Sequence, residues 1–152
     1  MKKILIALDY NPDAQKVAET GYFYANAAGA QVALVHIITD PEYYAIEYSP
    51  IMGYAGFYSQ SSNKMLTEIK EEAKKFLAAS ANHLGNGNIE THVLEGDTAD
   101  SILDFGKEWK ADLIVMGSHR HSMLQKILSE DTAAYILKHS TIPLLIIPTR
   151  EK

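Results

Sequence analysis

The sequence predicts one α/β domain: an open, parallel five-stranded sheet with helices on both faces. Three observations carry this expectation. Four short runs, 4–8, 31–38, 111–117 and 142–148, are almost continuously apolar, as strands buried on both faces are. A fifth run, 89–96, alternates like a strand. Helix-patterned sequence lies in every crossover between them, which makes the strands parallel.

"ILIAL" (4–8) is the first strand, and Asp9 closes it. Asn11 is placed to cap the first helix, with Pro12 at its first position and Gly29 just past its end. "QVALVHII" (31–38) is the second strand, rich in β-branched residues. Residues 62–84 form a helix with Met65, Ile69, Phe76 and Leu84 near one face and Lys and Glu elsewhere. "GNGN" (85–88) breaks it before the strand "IETHVLEG" (89–96). "DTADSILDFGKEW" is a helix capped at Asp97 or Thr98. "ADLIVMG" (111–117) is the fourth strand, a helix restarts after Ser129-Glu130-Asp131, and "IPLLIIP" (142–148) is the last strand.

The connection 41–62 stands apart. It carries five tyrosines, Phe57, two prolines and two glycines, too long and too aromatic for an ordinary link. Such a segment covers a cleft, forms a partner surface or folds back on the core.

Composition narrows the function classes. The 152 residues suit a single core, with no internal repeat or linker, and 47% hydrophobic with 22% charged residues fits a globular chain. A net charge of −5 argues against a nucleic-acid partner, which would demand a basic face. Cysteine is absent, so disulfides, thiolate metal sites and thiol catalysis are excluded. "MKKILIALD" is too short in its apolar part for a signal peptide, and no stretch approaches the ~20 apolar residues of a membrane span. A cytoplasmic protein with no membrane partner is the expectation.

Open parallel sheets bind ligands beyond the carboxyl ends of their strands, where the strand order reverses. Asp9 falls at such an end and suits ribose hydroxyls. Ile37 lies near the end of the second strand, where the main chain can read an adenine. Gly117 and Ser118 close the fourth strand and lead into a turn that can cradle phosphate with backbone amides.

The segments "KKILIALD", "VALVHI", "EGDTADSIL", "ADLIVMGSH" and "ILKHSTIPLLIIP" together resemble the universal stress proteins over essentially the whole chain. The resemblance implies a Rossmann-like sheet of order 3-2-1-4-5 and a homodimer formed through the last strand, 142–148. It also implies a division into members that bind ATP and members that do not. The binding members share a pattern of glycine, two residues, glycine, nine residues, then glycine and serine or threonine. Here the first position is Gly117, but the others fall on Arg120, Glu130 and Asp131, with Ser122 and Thr132 as nearby hydroxyls.

Glycine in such a turn allows φ > 0 and close backbone approach to phosphate. Arg120 in a left-handed conformation costs roughly 1–2 kcal/mol, although its guanidinium can pair with phosphate. Asp131 at a helix start can accept that helix's own amides, in the place an anion would occupy. Each carboxylate at ~4 Å from a phosphate charge costs roughly 4 kcal/mol at a dielectric of ~20. Even after screening, that is on the order of a hundredfold in affinity. The expected function is therefore a stress-family dimer acting on an unknown protein partner, with weak or absent ATP binding and no tightly held cofactor. The alternative is a binder of AMP, ADP or ATP with an altered phosphate site. His119 and His121 alternate in the turn as a metal pair would, but no third ligand is evident nearby, and solvated turn histidines are the simpler expectation. No nucleophile–base pair with a motif around it suggests an enzyme.

Overall fold

The computed structural model describes residues 1–39, 55–85, 88–118 and 132–149, with the backbone alone for 55–63. Its strands are β1 (Lys3–Ala7), β2 (Gln31–Ile38), β3 (Ile89–Glu95), β4 (Leu113–Ser118) and β5 (Leu144–Pro148). The helices are α1 (Ala14–Ala28), α2 (Ala55–Leu84), α3 (Thr98–Trp109) and α4 (Thr132–His139). All neighbouring strands run parallel in the order β3-β2-β1-β4-β5. This is the order expected from the sequence.

Alternation along the strands divides the core in two, because successive side chains point to opposite faces. Leu5, Ala33, Val35, Ile114 and Met116 pack under Ile102 and Leu103 of α3 and Ile136 of α4. Ile4, Ile6, Leu34 and Val115 face Val17, Ala18 and Ala25 of α1 and Leu77 of α2. Helix α1 rests close to the sheet at Gly21. A Cβ there would stand 2.7 Å from Ile6 Cδ1 and 3.1 Å from Val115 Cγ1.

Four boundaries differ from the sequence reading by two residues or more. Helix α1 starts at Ala14 instead of following an Asn11 cap, and Asp13 at its N-cap makes no side-chain cap bond. Asp9 Oδ1 accepts from the Asn11 amide at 2.9 Å, and Asn11 Oδ1 accepts from the Asp13 amide at 2.8 Å. The Asn11 carbonyl takes the Ala14 amide at 2.9 Å. Pro12 thus occupies the second position of a β-turn, where its fixed φ is favoured, and not the first turn of the helix. Gly29 does end α1, with φ 65 and its amide on Ala25 and Asn26 carbonyls.

Helix α2 begins at Ala55, inside the segment 41–62 read as a connection. After Pro50 no residue of that segment lacks an amide, so nothing prevents the helix from running backwards into it. Residues 41–54 lie outside the described residues, and with them the lid-or-contact question for most of the loop.

Strand β4 starts at Leu113, not at 111, because Lys110 adopts φ 63 and turns the chain, its amide reaching the Gly106 and Lys107 carbonyls. Asp112 then accepts from the Lys2 and Lys3 amides at 2.7 and 2.9 Å, fastening the start of β1. Strand β5 starts at Leu144, not at 142. The Ile142 amide is held by Ser140 Oγ at 2.9 Å, and Pro143 has no amide to pair. The N-cap of α3 is Asp97, one of the two residues expected there, accepting from the Asp100 amide at 3.0 Å.

Candidate functional site

Strand β1 leads through α1 to β2 on one side, and its other neighbour is β4. The carboxyl ends of β1, β2 and β4 therefore open onto the crevice where the chain changes direction across the sheet. A cavity of about 240 Å³ lies there. Of the residues singled out from the sequence, Asp9, Ile37, Gly117 and Thr132 line it together. Ser118 ends β4 opposite Pro148 and is not part of the lining. Arg120, Ser122, Glu130 and Asp131 lie outside the described residues, as do His119 and His121.

The floor is apolar, made by Ala7, Leu8, Val17, Ile102 and Met116. Polar groups stand around it. Asp9 is half-buried and is fixed by its bond from the Asn11 amide. His36 is buried, with Nδ1 at 2.9 Å from the Leu8 carbonyl. A carbonyl only accepts, so Nδ1 carries the proton and donates. The ring is wedged by Tyr10 at 4.5 Å and Phe76 at 5.7 Å between centroids, and it does not turn freely.

Gly117 is needed here for space. Its φ is not in the left-handed region, contrary to the role expected of a turn glycine. A Cβ would lie 2.9 Å from Thr149 Cγ2 and 3.2 Å from Val17 Cγ2. The end of β4 is thus pressed between α1 and the residue after β5.

Sequence reasoning passed over five polar residues that line the cavity: Asn11 and His36 as site groups, Thr39, Thr98 and Thr149. His36 was visible as the polar residue in an otherwise apolar strand. Thr39 follows β2 and Thr98 opens α3, positions that a strand-end argument could have reached. Thr149 had no signal, since it follows a proline at the end of the family pattern. Its Oγ1 is buried and has no hydrogen-bond partner.

Among the described residues that line the cavity, Asp9 is the one carboxylate, and none is lysine or arginine. Among the described residues no group of three or more His, Asp or Glu is arranged to hold a metal. No described helix is long and apolar enough to cross a membrane. The other described histidines serve locally. His83 meets Glu19 at 2.7 Å across α2 and α1, His92 meets Glu90 at 3.0 Å on β3, and His139 Nδ1 donates to the Tyr135 carbonyl at 2.8 Å.

Residues 1–148 match the model of a family described as the universal stress protein family. Universal stress protein A homolog 1 of Coxiella burnetii is 30% identical over 99% of this chain and 98% of its own length. Two solved structures share the fold. A universal stress protein from Archaeoglobus fulgidus in complex with dAMP has a TM-score of 0.62 at 21% identity, covering 97% of this chain and 98% of that one. A universal stress protein in complex with cAMP has a TM-score of 0.62 at 18% identity, covering 97% of both chains.

Proposed function

The chain belongs to the universal stress protein family, and we propose that it is a homodimeric stress-response protein of the cytoplasm that keeps the adenosine end of a nucleotide site and has lost the phosphate end. It works through protein contacts, binds ATP weakly or not at all, and catalyses no reaction. The whole chain serves as one such unit.

One observation carries the reading. Asp9, Ile37, Gly117 and Thr132, chosen from the sequence for an adenine nucleotide, meet at one cavity at the strand ends. Relatives of the same fold are complexed with dAMP and cAMP, each bearing a single phosphate. In this chain Asp9 takes the ribose hydroxyls and the backbone at Ile37 meets the base. The phosphate pattern that starts at Gly117 continues with Arg120, Glu130 and Asp131, two acids where the family's binding members have glycine and a hydroxyl.

The dimer reading rests on β5. An edge strand presents unpaired backbone groups, and this one also leaves Leu144, Leu145 and Ile146 only half-buried. A second copy covers such an edge symmetrically. Leu137 on α4 is 64% exposed as well.

Calorimetry tests the nucleotide half. The unmodified chain is expected to show little or no ATP binding at tens of micromolar. The triple variant Arg120→Gly, Glu130→Gly, Asp131→Ser removes both acids and restores a small hydroxyl, and it should gain more affinity for ATP than for adenosine. Tight ATP binding by the unmodified chain refutes the reading and turns attention to Arg120 as a substitute phosphate ligand. Equal gains for ATP and adenosine mean that the acids never faced the phosphates.

A further inference from the structure

The ladder between β1 and β2 stops one bond short. In a parallel sheet a residue turns its amide and its carbonyl to one neighbouring strand, and the next residue turns both to the other. On β2 the Val35 carbonyl accepts from the Leu8 amide at 2.9 Å, and the Ile38 carbonyl accepts from the Gly96 amide, just past β3, at 3.0 Å. Ile37 lies two residues after Val35, so its amide is directed towards β1. The acceptor that would continue the ladder there is the Leu8 carbonyl. Among the described residues that bond is not made: strand pairing ends with Ala7 opposite Val35. The Leu8 carbonyl takes Nδ1 of His36 at 2.9 Å in its place.

A buried carbonyl needs a donor, and two stood within reach of this one. The ring is the donor used, and it is held in position. Tyr10 and Phe76 stand at 4.5 and 5.7 Å from it between centroids, and they meet each other edge to face at 4.9 Å. Phe76 belongs to α2 and Tyr10 to the turn that carries Asp9, so the histidine is fixed from both sides. The donor left over is the main-chain amide of Ile37, and Leu8, Asp9, His36 and Ile37 all line the cavity.

We infer that His36 is a positioning residue of the site: by occupying the Leu8 carbonyl it ends the β1–β2 ladder early and keeps the Ile37 amide available as a donor to a ligand in the cavity. This deepens the nucleotide reading above and rests on it for the ligand. Through this role His36 acts on the ligand by way of Ile37, not by contact.

Amide hydrogen exchange of the full chain, followed residue by residue by NMR with and without AMP, tests the inference on the parent, His36→Leu and His36→Asn. In the parent the Ile37 amide is expected to exchange about tenfold faster than the Val35 amide or more, and saturating AMP should slow it. His36→Leu leaves the Leu8 carbonyl to the Ile37 amide. That one amide should then slow by about tenfold, although a destabilised core quickens exchange elsewhere. Calorimetry should show AMP weakened by about three- to tenfold, the loss of one neutral hydrogen bond. His36→Asn sets Nδ2 where histidine has Nδ1 and should restore both exchange and affinity. An Ile37 amide as protected as that of Val35 in the parent overturns the inference, and that measurement stands even if His36→Leu folds poorly. So does an Ile37 amide that fails to slow in His36→Leu, unchanged AMP affinity in that variant, or failure of His36→Asn to restore either. Each of these results leaves the nucleotide reading standing. No AMP binding by the parent at millimolar concentration overturns that reading, whatever the exchange rates.

Discussion

Replacing Gly117 by alanine probes the tightest point of the site. The new Cβ would sit 2.9 Å from Thr149 Cγ2 and 3.2 Å from Val17 Cγ2. Ordinary carbon–carbon contact is about 3.5–4.0 Å, so both neighbours must retreat. Val17 is buried and held by the α1 face of the core. Thr149 therefore yields first, by rotating about its stiff, β-branched χ1 or by pulling the end of β5 outward. Overpacking of this kind costs about 1–3 kcal/mol. With about 2–4 °C lost per kcal/mol in a chain of this size, the melting temperature falls by about 2–12 °C. A double-mutant cycle assigns the cause. Thr149→Ser deletes the methyl carbon that the alanine strikes, so Gly117→Ala should cost at least about 0.5 kcal/mol less in that background. The Val17 contact leaves a residual penalty. Urea unfolding of the four proteins measures all of this, and equal costs of Gly117→Ala in the two backgrounds would refute the packing argument.

Three other perturbations address separate parts of the molecule. Asp9→Ala removes the carboxylate assigned to the ribose and should abolish AMP binding by calorimetry, while the lost bond from the Asn11 amide costs about 1 kcal/mol in urea unfolding; retained AMP affinity would dismiss Asp9 as a ligand group. Ile146→Lys puts a charge on the half-buried face of the edge strand and should shift light scattering at micromolar concentration from dimer towards monomer. The Asp112 carboxyl is held below its ordinary 3.8 by the backbone amides of Lys2 and then Lys3. A lowered folded pKa contributes stability above the unfolded value, and that contribution is lost as pH falls through the folded one. Asp112→Asn should therefore flatten the decline of stability below about pH 4 in urea titrations, and a decline as steep as the parent's would show that the amides do not discriminate charge.

The sheet was readable because its strands are short apolar runs with a helix in every crossover, and both signals are local. Its order came from the family segments. The boundaries that moved did so where hydrogen bonds override pattern. Asn11 looks like a helix cap, yet its side chain serves the Asp13 amide, two residues too early for the helix. Lys110 ends α3 in a left-handed conformation that composition assigns to glycine or asparagine. Asp9, Ile37, Gly117 and Thr132 were legible as site residues because strand ends are. Thr149 was not, because its place beside Gly117 arises from the β4–β5 register, in which Ser118 lies opposite Pro148. No spacing in the sequence encodes that approach.

Of the five strands, the one made first lies in the middle of the finished sheet. β1 has β2 on one side from residue 31 onward, but its other edge pairs with β4, beginning at Ile4 opposite Leu113. The clasp from Asp112 to the Lys2 and Lys3 amides arrives at the same late moment. During synthesis at about 5–20 residues per second, the stretch between β2 and β4 keeps that apolar edge open for ~4–15 s. A nascent chain in that interval offers a ready template to any passing strand, and a chaperone that shields unpaired strands has its natural window here. Full-length chains released into the cell at high temperature meet the hazard only on unfolding. Growing ones meet it each time they are made.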